Sequence, residues 1–237
     1  MSIHLQRSLE ELNKKILVLG SVVEESVRNA VHAIENRDSE AAHAVIQGDN
    51  EIDQLEVELE EECLKILALY QPVAADLRFI VATLKINNDL ERVGDLAVNI
   101  SERAIYLATQ KPVNAVLNFH LMASRAQTML TRSLDALVRV DAGLARQVLA
   151  SDDEVDAMNR EMYIQIQSSI RKYPEEIEPL IHLLSVSRHL ERIADLATNI
   201  AEDVIYLAEA QIVRHLEESY TTSKEKDRRL RFLAPGE

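Results

Sequence analysis

Apolar residues recur along the chain in steps of three and four. From Leu9 the positions Leu9, Leu12, Ile16, Leu19, Val23 and Ala30 keep a heptad-like spacing. Such a stripe lines one face of a helix of 3.6 residues per turn. Val45, Ile52, Leu59 and Ile66 follow, each seven apart. Then come Leu90, Val93, Ala97, Ile100, Ala104 and Leu107 in alternating steps. These stripes predict three amphipathic helices before residue 110. Ser8 with Glu11 has the spacing of a capping box, and Asp38 is a candidate N-cap for the second helix. Pro72, Pro112, Pro174 and Pro179 are expected at helix boundaries.

After Pro112 the pattern repeats. Residues 90–108 read LERVGDLAVNISERAIYLA and residues 190–208 read LERIADLATNIAEDVIYLA, identical at thirteen of nineteen positions. Unrelated stretches of ordinary composition match at roughly one. Upstream, residues 38–53 align with 141–156, so Asp49, Glu51 and Asp53 match Asp152, Glu154 and Asp156. The offset is 103 there and 100 later, which places a shorter connection around residues 173–179. The expected fold is all-α: six long helices in two pseudo-symmetric three-helix bundles, each helix about 30 residues or roughly 45 Å. The expected divisions are 1–110, 111–218 and a tail at 219–237. That tail carries Lys224, Lys226, Arg228, Arg229 and Arg231 without a stripe, as a frayed end or a basic arm that touches a partner.

Composition narrows the classes. Five Gly and five Pro in 237 residues are too few turn residues for an all-β chain. Apolar residues at 47% exclude wholesale disorder, and aromatics at 4% leave the core to Leu, Ile, Val and Ala. Forty acids against 26 Lys and Arg give a net charge of −14, which disfavours nucleic acid and anionic lipid as direct partners. The lone Cys63 excludes an internal disulfide and a Cys-rich zinc site. No signal-peptide or membrane-span pattern is present, so a cytoplasmic location is expected.

The candidate chemistry is acidic. Glu91, Asp95 and Glu102 share a strip roughly opposite the apolar face of the third helix, and Glu191, Asp195 and Glu202 repeat it. The second helix adds Asp49 and Asp53, and the fifth adds Asp152 and Asp156. Each pair is acid-x-x-x-acid, and like charges at i and i+4 destabilise a helix by a few tenths of a kcal/mol. Arg92 and Arg192 offset part of that, and a bound cation would offset more. Carboxylates converging from adjacent helices, with Asn99 and Asn199 as further donors, make an all-oxygen site for Mg²⁺, Mn²⁺, Ca²⁺ or iron. The competing reading is a solvated acidic face, ordinary on a bundle.

Other features are weaker. Glu40 and His43 form one Glu-x-x-His, but the matching residues are Gly143 and Arg146, so the paired di-iron motif is absent. His189 stands where the first repeat has Asp89, and Tyr106 and Tyr206 read as core with hydroxyls at its edge. No P-loop, dinucleotide glycine pattern or nucleophile elbow occurs.

Leu90-Glu-Arg-Val-Gly-Asp95 and Leu190-Glu-Arg-Ile-Ala-Asp195, each followed by Asn-Ile and a Glu, resemble the repeated signature of the PhoU family. The segment from Gln71 to Arg78 and the acids at 49–53 are also similar to that family. The resemblance implies an often dimeric, non-catalytic cytoplasmic regulator of the phosphate-starvation response. It implies contacts with the phosphate importer's ATPase subunit and a sensor histidine kinase, and membrane association only through them. It further implies multinuclear metal (iron, Mn, Mg or Zn) on Asp49, Asp53, Glu91, Asp95, Asp152, Asp156, Glu191 and Asp195. Asn99, Glu102, Asn199 and Glu202 are added as lesser candidates. One departure is Ala194, where glycine is usual in both repeats and Gly94 keeps it. Two rival classes are a metal-dependent helical enzyme and a metal-free scaffold. The enzyme would need a general base, and none is duplicated near the acids.

Overall fold

The computed structural model describes residues 3–115, 117 and 119–213. Three long helices come first: α1 (Ile3–Asn36), α2 (Ser39–Tyr70) and α3 (Ala74–Thr109). The second half has α4 (Phe119–Arg139), α5 (Ala142–Leu149), α6 (Asp152–Lys172), a 3-10 turn at Pro174–Glu176 and α7 (Ile177–Glu209). No strand occurs among the described residues. Five of the six expected helices are single rods, and the fifth is the pair α5–α6. The predicted stripes are buried, with Ile16, Leu19, Val23, Ile52, Leu59, Leu90 and Ile100 among the most enclosed. Each such side chain contributes about 1.5–3 kcal/mol of burial.

The fifth helix breaks at Ala150 and Ser151, immediately before Asp152. The first repeat has Gly48 at the matching position and runs straight through it. Ser151 opens a stretch with Asp152, Asp153 and Glu154 in the first turn of α6. Three carboxylates there favour a helix start through the dipole. The Ser151 hydroxyl bonds back to the Gln147 carbonyl (2.9 Å) and does not cap α6. Repeat alignment masked this start signal.

Other boundaries follow local chemistry. Asp38 caps α2 as expected, accepting from the amides of Glu40 and Ala41 at 3.0 Å each. Arg37 and Val140, at matching positions, both take left-handed φ, 54° and 50°. Asp141 N bonds Ala136 O, closing a Schellman turn before the second repeat's N-cap. Ser8 and Glu11 do not cap α1. They lie inside it, and Glu11 pairs with Arg7 at 3.2 Å. Pro179 likewise lies in the first turn of α7, where a missing N–H is tolerated.

α4 has 21 residues against 34 in α1, so not every helix reaches the expected length. Before it, Val113, Ala115 and Leu117 pack on Met162, Ile166 and Leu180 as a small second core. Residues 111–115 are non-helical around Pro112, which cannot continue a helix, and they take the place of the start of the fourth helix.

The main core is continuous across both halves, because α3 and α7 pack along each other. They run antiparallel. Lys85 near the start of α3 pairs with Asp203 near the end of α7, at 3.3 Å. At the other end Tyr106 stacks on His182, with centroids 3.9 Å apart, and donates to Glu178. Tyr106 and Tyr206 are therefore half-buried seam residues, and Lys85 sits 5.5 Å from the Tyr206 ring centroid. The basic segment at 219–237 lies outside the described residues.

Candidate functional site

α2 presents Asp49, Asp53 and Glu56 toward Glu91 and Asp95 of α3. The anchor is Ile52, fully buried between the two aspartates in sequence. Burial is the main cause that raises the pKa of Asp49, with Asp53 and Asp95 adding to it. Glu91 is raised by burial and then by Asp95, Glu56, Asp53 and Asp49. Carboxylates 42 residues apart in sequence thus share one field. The strip on α3 is not simply opposite the core, since Glu91 and Asn99 are half-buried at the helix–helix crevice.

α6 and α7 repeat the arrangement with Asp152, Asp156, Glu191 and Asp195. Asp152 opens α6, where the helix dipole favours a charged carboxylate by about 0.3–1 kcal/mol. Its pKa is nonetheless pushed up to about 6, by burial first and then by Asp195, Asp156, Asp153 and Glu191. Desolvation and four acids outweigh the dipole. Its Oδ1 is buried and has no hydrogen-bond partner. Asp195 is also raised, by burial, Glu191 and Asp156, against an opposing pull from Arg192.

The two crevices meet at the α3–α7 seam. A cavity of about 260 Å³ there is lined by Arg92, Asp95, Asn99, Arg192 and Asp195. Asn99 donates to the Asp95 carbonyl (2.7 Å), as a residue within its own helix. The remaining lesser candidates fall elsewhere. Glu102 pairs with Arg103 at 2.9 Å, and Asn199 and Glu202 line a separate cavity with Lys85, Asp89 and Arg92. Among the described residues no three His, Cys, Asp or Glu side chains stand arranged to hold a metal ion.

Sequence reasoning missed Glu56, whose spacing of three from Asp53 marks it as part of the same face. It accepts from Asn87 at 3.3 Å, and its pKa is raised by burial, Glu60 and Asp53. His43 is exposed and bound to its own helix. His189 is half-buried, its Nε2 3.2 Å from the Ser185 hydroxyl. Burial, then Arg103 and Arg192, hold its pKa down. Burial pushes the Cys63 thiol up to about 12, which makes it a core residue and not a nucleophile.

Gly94 has a packing reason. A methyl group there would lie 3.1 and 3.2 Å from Ile52 Cδ1 and Cγ2, and 3.3 Å from Asp49 Oδ1. The second repeat carries Ala194 opposite Val155, which matches Ile52 in the alignment and is one methylene smaller. The two repeats thus fill the same space in two ways. Gly94→Ala is expected to gain up to about 1 kcal/mol of helix propensity and lose about 1–3 to overpacking. Adding Ile52→Val should recover stability beyond the sum of the single changes. Thermal melts of the three variants check this, and strict additivity would show that the methyl does not meet Ile52.

The PhoU domain family matches residues 16–104 and again 119–204. A phosphate-specific transport system accessory protein PhoU homolog of Aquifex aeolicus is 40% identical over 209 residues, 88% of this chain and 95% of that one. A homolog of the same name from Pseudomonas aeruginosa is 37% identical over 209 residues, 88% of this chain and 86% of that one. The crystal structure of PhoU from Pseudomonas aeruginosa superposes with a TM-score of 0.84 at 36% identity, covering 87% of this chain and 99% of that one. The phosphate transport system regulatory protein PhoU from Streptococcus pneumoniae gives 0.80 at 30% identity, covering 88% and 99%.

Proposed function

Since the chain belongs to the PhoU family, we propose that it is an accessory protein of a phosphate transport system that restrains the phosphate-starvation response. In this reading it acts by binding, not by catalysis. It joins the importer's ATPase subunit to a sensor histidine kinase, works in the cytoplasm, and forms a homodimer. Among the described residues no helix is long and apolar enough to cross a membrane, so membrane contact would run through those partners.

The observation that carries the regulatory surface is the pair of matching acid crevices. Their residues fit a metal by donor chemistry, since all eight principal candidates are carboxylates and the lesser ones add only further oxygen donors. The buried, unpartnered Oδ1 of Asp152 supports this, because a desolvated acceptor without a donor is costly unless a cation or water serves it. Asp49, Asp53, Glu91 and Asp95 would hold a hard or borderline ion in the first crevice. Asp152, Asp156, Glu191 and Asp195 would do so in the second. The ion would supply positive charge to offset carboxylate repulsion. The protein's own part is to hold two helices, anchored by Ile52 and by Val155, so that carboxylates from each face the same gap. A second reading, an acidic face that meets basic partner residues without metal, is favoured by the absence of a ready-made coordination sphere among the described residues.

Elemental analysis of chelator-free protein, then melts with added Mn²⁺, Mg²⁺ or Fe²⁺, separate the two. The metal reading expects a stoichiometric ion or a clear rise in Tm at micromolar ion. Glu91→Ala with Asp95→Ala should remove the first crevice's share while the protein stays folded. Unchanged stoichiometry in that variant would sink the ligand assignment. Loss of the gene should switch a phosphate-starvation reporter on in phosphate-rich medium, and a silent reporter would overturn the regulatory reading.

A further inference from the structure

The two crevices diverge one turn beyond the acids. In the first half that continuation is acidic, with Glu56, Glu60 and Glu61 on α2 beside Leu84 and Asn88 on α3. At the matching positions the second half has Asn159, Tyr163 and Ile164 on α6, beside Leu184 and Arg188 on α7, and Arg160 in place of Val57. Three glutamates on one side thus correspond to Asn, Tyr and Ile on the other, where arginines also replace Val57 and Asn88. The second-half residues line a groove of about 350 Å³.

This groove is built to be covered. Tyr163 and Ile164 are 54% and 64% exposed, and Ile181 continues the stripe along α7 at 52%. An apolar patch rimmed by charge marks an interaction site, and Tyr and Arg are the side chains enriched where binding energy concentrates. Two parallel walls of helix make the seat for a third helix, read through residues spaced three and four apart. Charge then selects the occupant. Both rim charges are positive in a chain of net charge −14, so the rim discriminates against basic segments and favours Asp or Glu. Arg160 is already tethered to Asp156 at 3.4 Å, a weak exposed pair that a partner carboxylate can replace.

We infer that the α6–α7 groove docks an acidic amphipathic helix of a partner protein, its apolar face on Tyr163, Ile164 and Leu184 and its carboxylates on Arg160 and Arg188. The groove needs no ion to form, so this inference goes beyond the metal reading and fails or survives separately from it.

The test uses the full chain and a synthetic 20-residue helical peptide. The peptide has Leu or Ile at alternating steps of three and four and Glu between them, and a twin carries Lys in place of Glu. Fluorescence anisotropy at low salt should show binding of the acidic peptide only. Arg160→Glu with Arg188→Glu should weaken it at least tenfold and let the lysine twin bind. Ile164→Asp should weaken both peptides, with circular dichroism confirming that each variant is folded. An acidic peptide that fails to bind at millimolar concentration, or binds all variants equally, overturns the inference. So does sedimentation showing a dimer that Ile164→Asp converts to monomer, since the groove would then belong to a second copy.

Discussion

Asp152→Asn should stabilise the metal-free protein above pH 6 by about 1–2 kcal/mol. The folded pKa is raised to about 6 from its ordinary 3.8, a difference worth at most about 3 kcal/mol. The side chain is half-exposed, and solvent screening reduces that figure. The sign follows from proton binding. Between about pH 3.8 and 6 the folded state holds more protons at this site than the unfolded chain does. Stability that is fully present below the unfolded pKa is therefore lost as pH rises through 6. Asn mimics the protonated acid, so its advantage should vanish near pH 4 and reach full size by pH 7.5. For a chain of this size that is a Tm rise of about 2–8 °C. Added Mn²⁺ should reverse the ranking if Asp152 is a ligand, because the variant then lacks a carboxylate that the ion rewards. Identical melts at pH 7.5 without metal would show that the carboxylate is not desolvated.

Lys85→Met should cost about 2–4 kcal/mol. Asp203 is 2% exposed and lies 3.3 Å from the Lys85 ammonium, which is itself 40% exposed. Removing one partner of a buried pair typically costs about 3–5 kcal/mol, because the other charge stays desolvated. Water reaching the half-exposed lysine position, and the other contacts that Asp203 keeps, lower the expectation. Asp203→Ala should cost less, since its lysine can turn to solvent. Combining the two should cost less than their sum, with a coupling of at least about 1 kcal/mol in a double-mutant cycle. The pair joins the start of α3 to the end of α7, so its loss loosens the seam between the halves. Proteolysis should then accelerate in Lys85→Met. A coupling near zero would show that apolar packing alone holds the seam. The repeat does not conserve this pair internally, because Ser185 and Arg103 stand at the matching positions.

The structure also shows where periodic reasoning reaches its limit. The stripe from Val45 to Ile66 is buried at every predicted position, since seven-residue spacing is a property of the helix itself. The break before Asp152 was present in the sequence as Ser151 followed by three acids. It was hidden because the first repeat, with Gly48, continues through the same register. Val113, Ala115 and Leu117 carry no periodic signal of their own, and their place in a small second core follows only from the α6 and α7 side chains they pack on. Gly94 and Ala194 read as a departure in helix propensity. They became a packing pair only once Ile52 and Val155 stood across from them.

What the sequence determined by itself was everything that depends on spacing along one helix. That includes the stripes, the doubled Leu-Glu-Arg motif, and the acid pairs four residues apart that share a face. A helix repeats every 3.6 residues regardless of its neighbours, so these are local consequences. Only the tertiary structure decided which helices face each other. It set Asp49 and Asp53 against Glu91 and Asp95, left the Asp152 Oδ1 buried without a partner, and ran α3 antiparallel to α7. It also paired Glu102 with Arg103 and set Asn199 and Glu202 in a second cavity beside Lys85. Those outcomes come from burying several apolar faces at once in one continuous core, and no single helix carries that information.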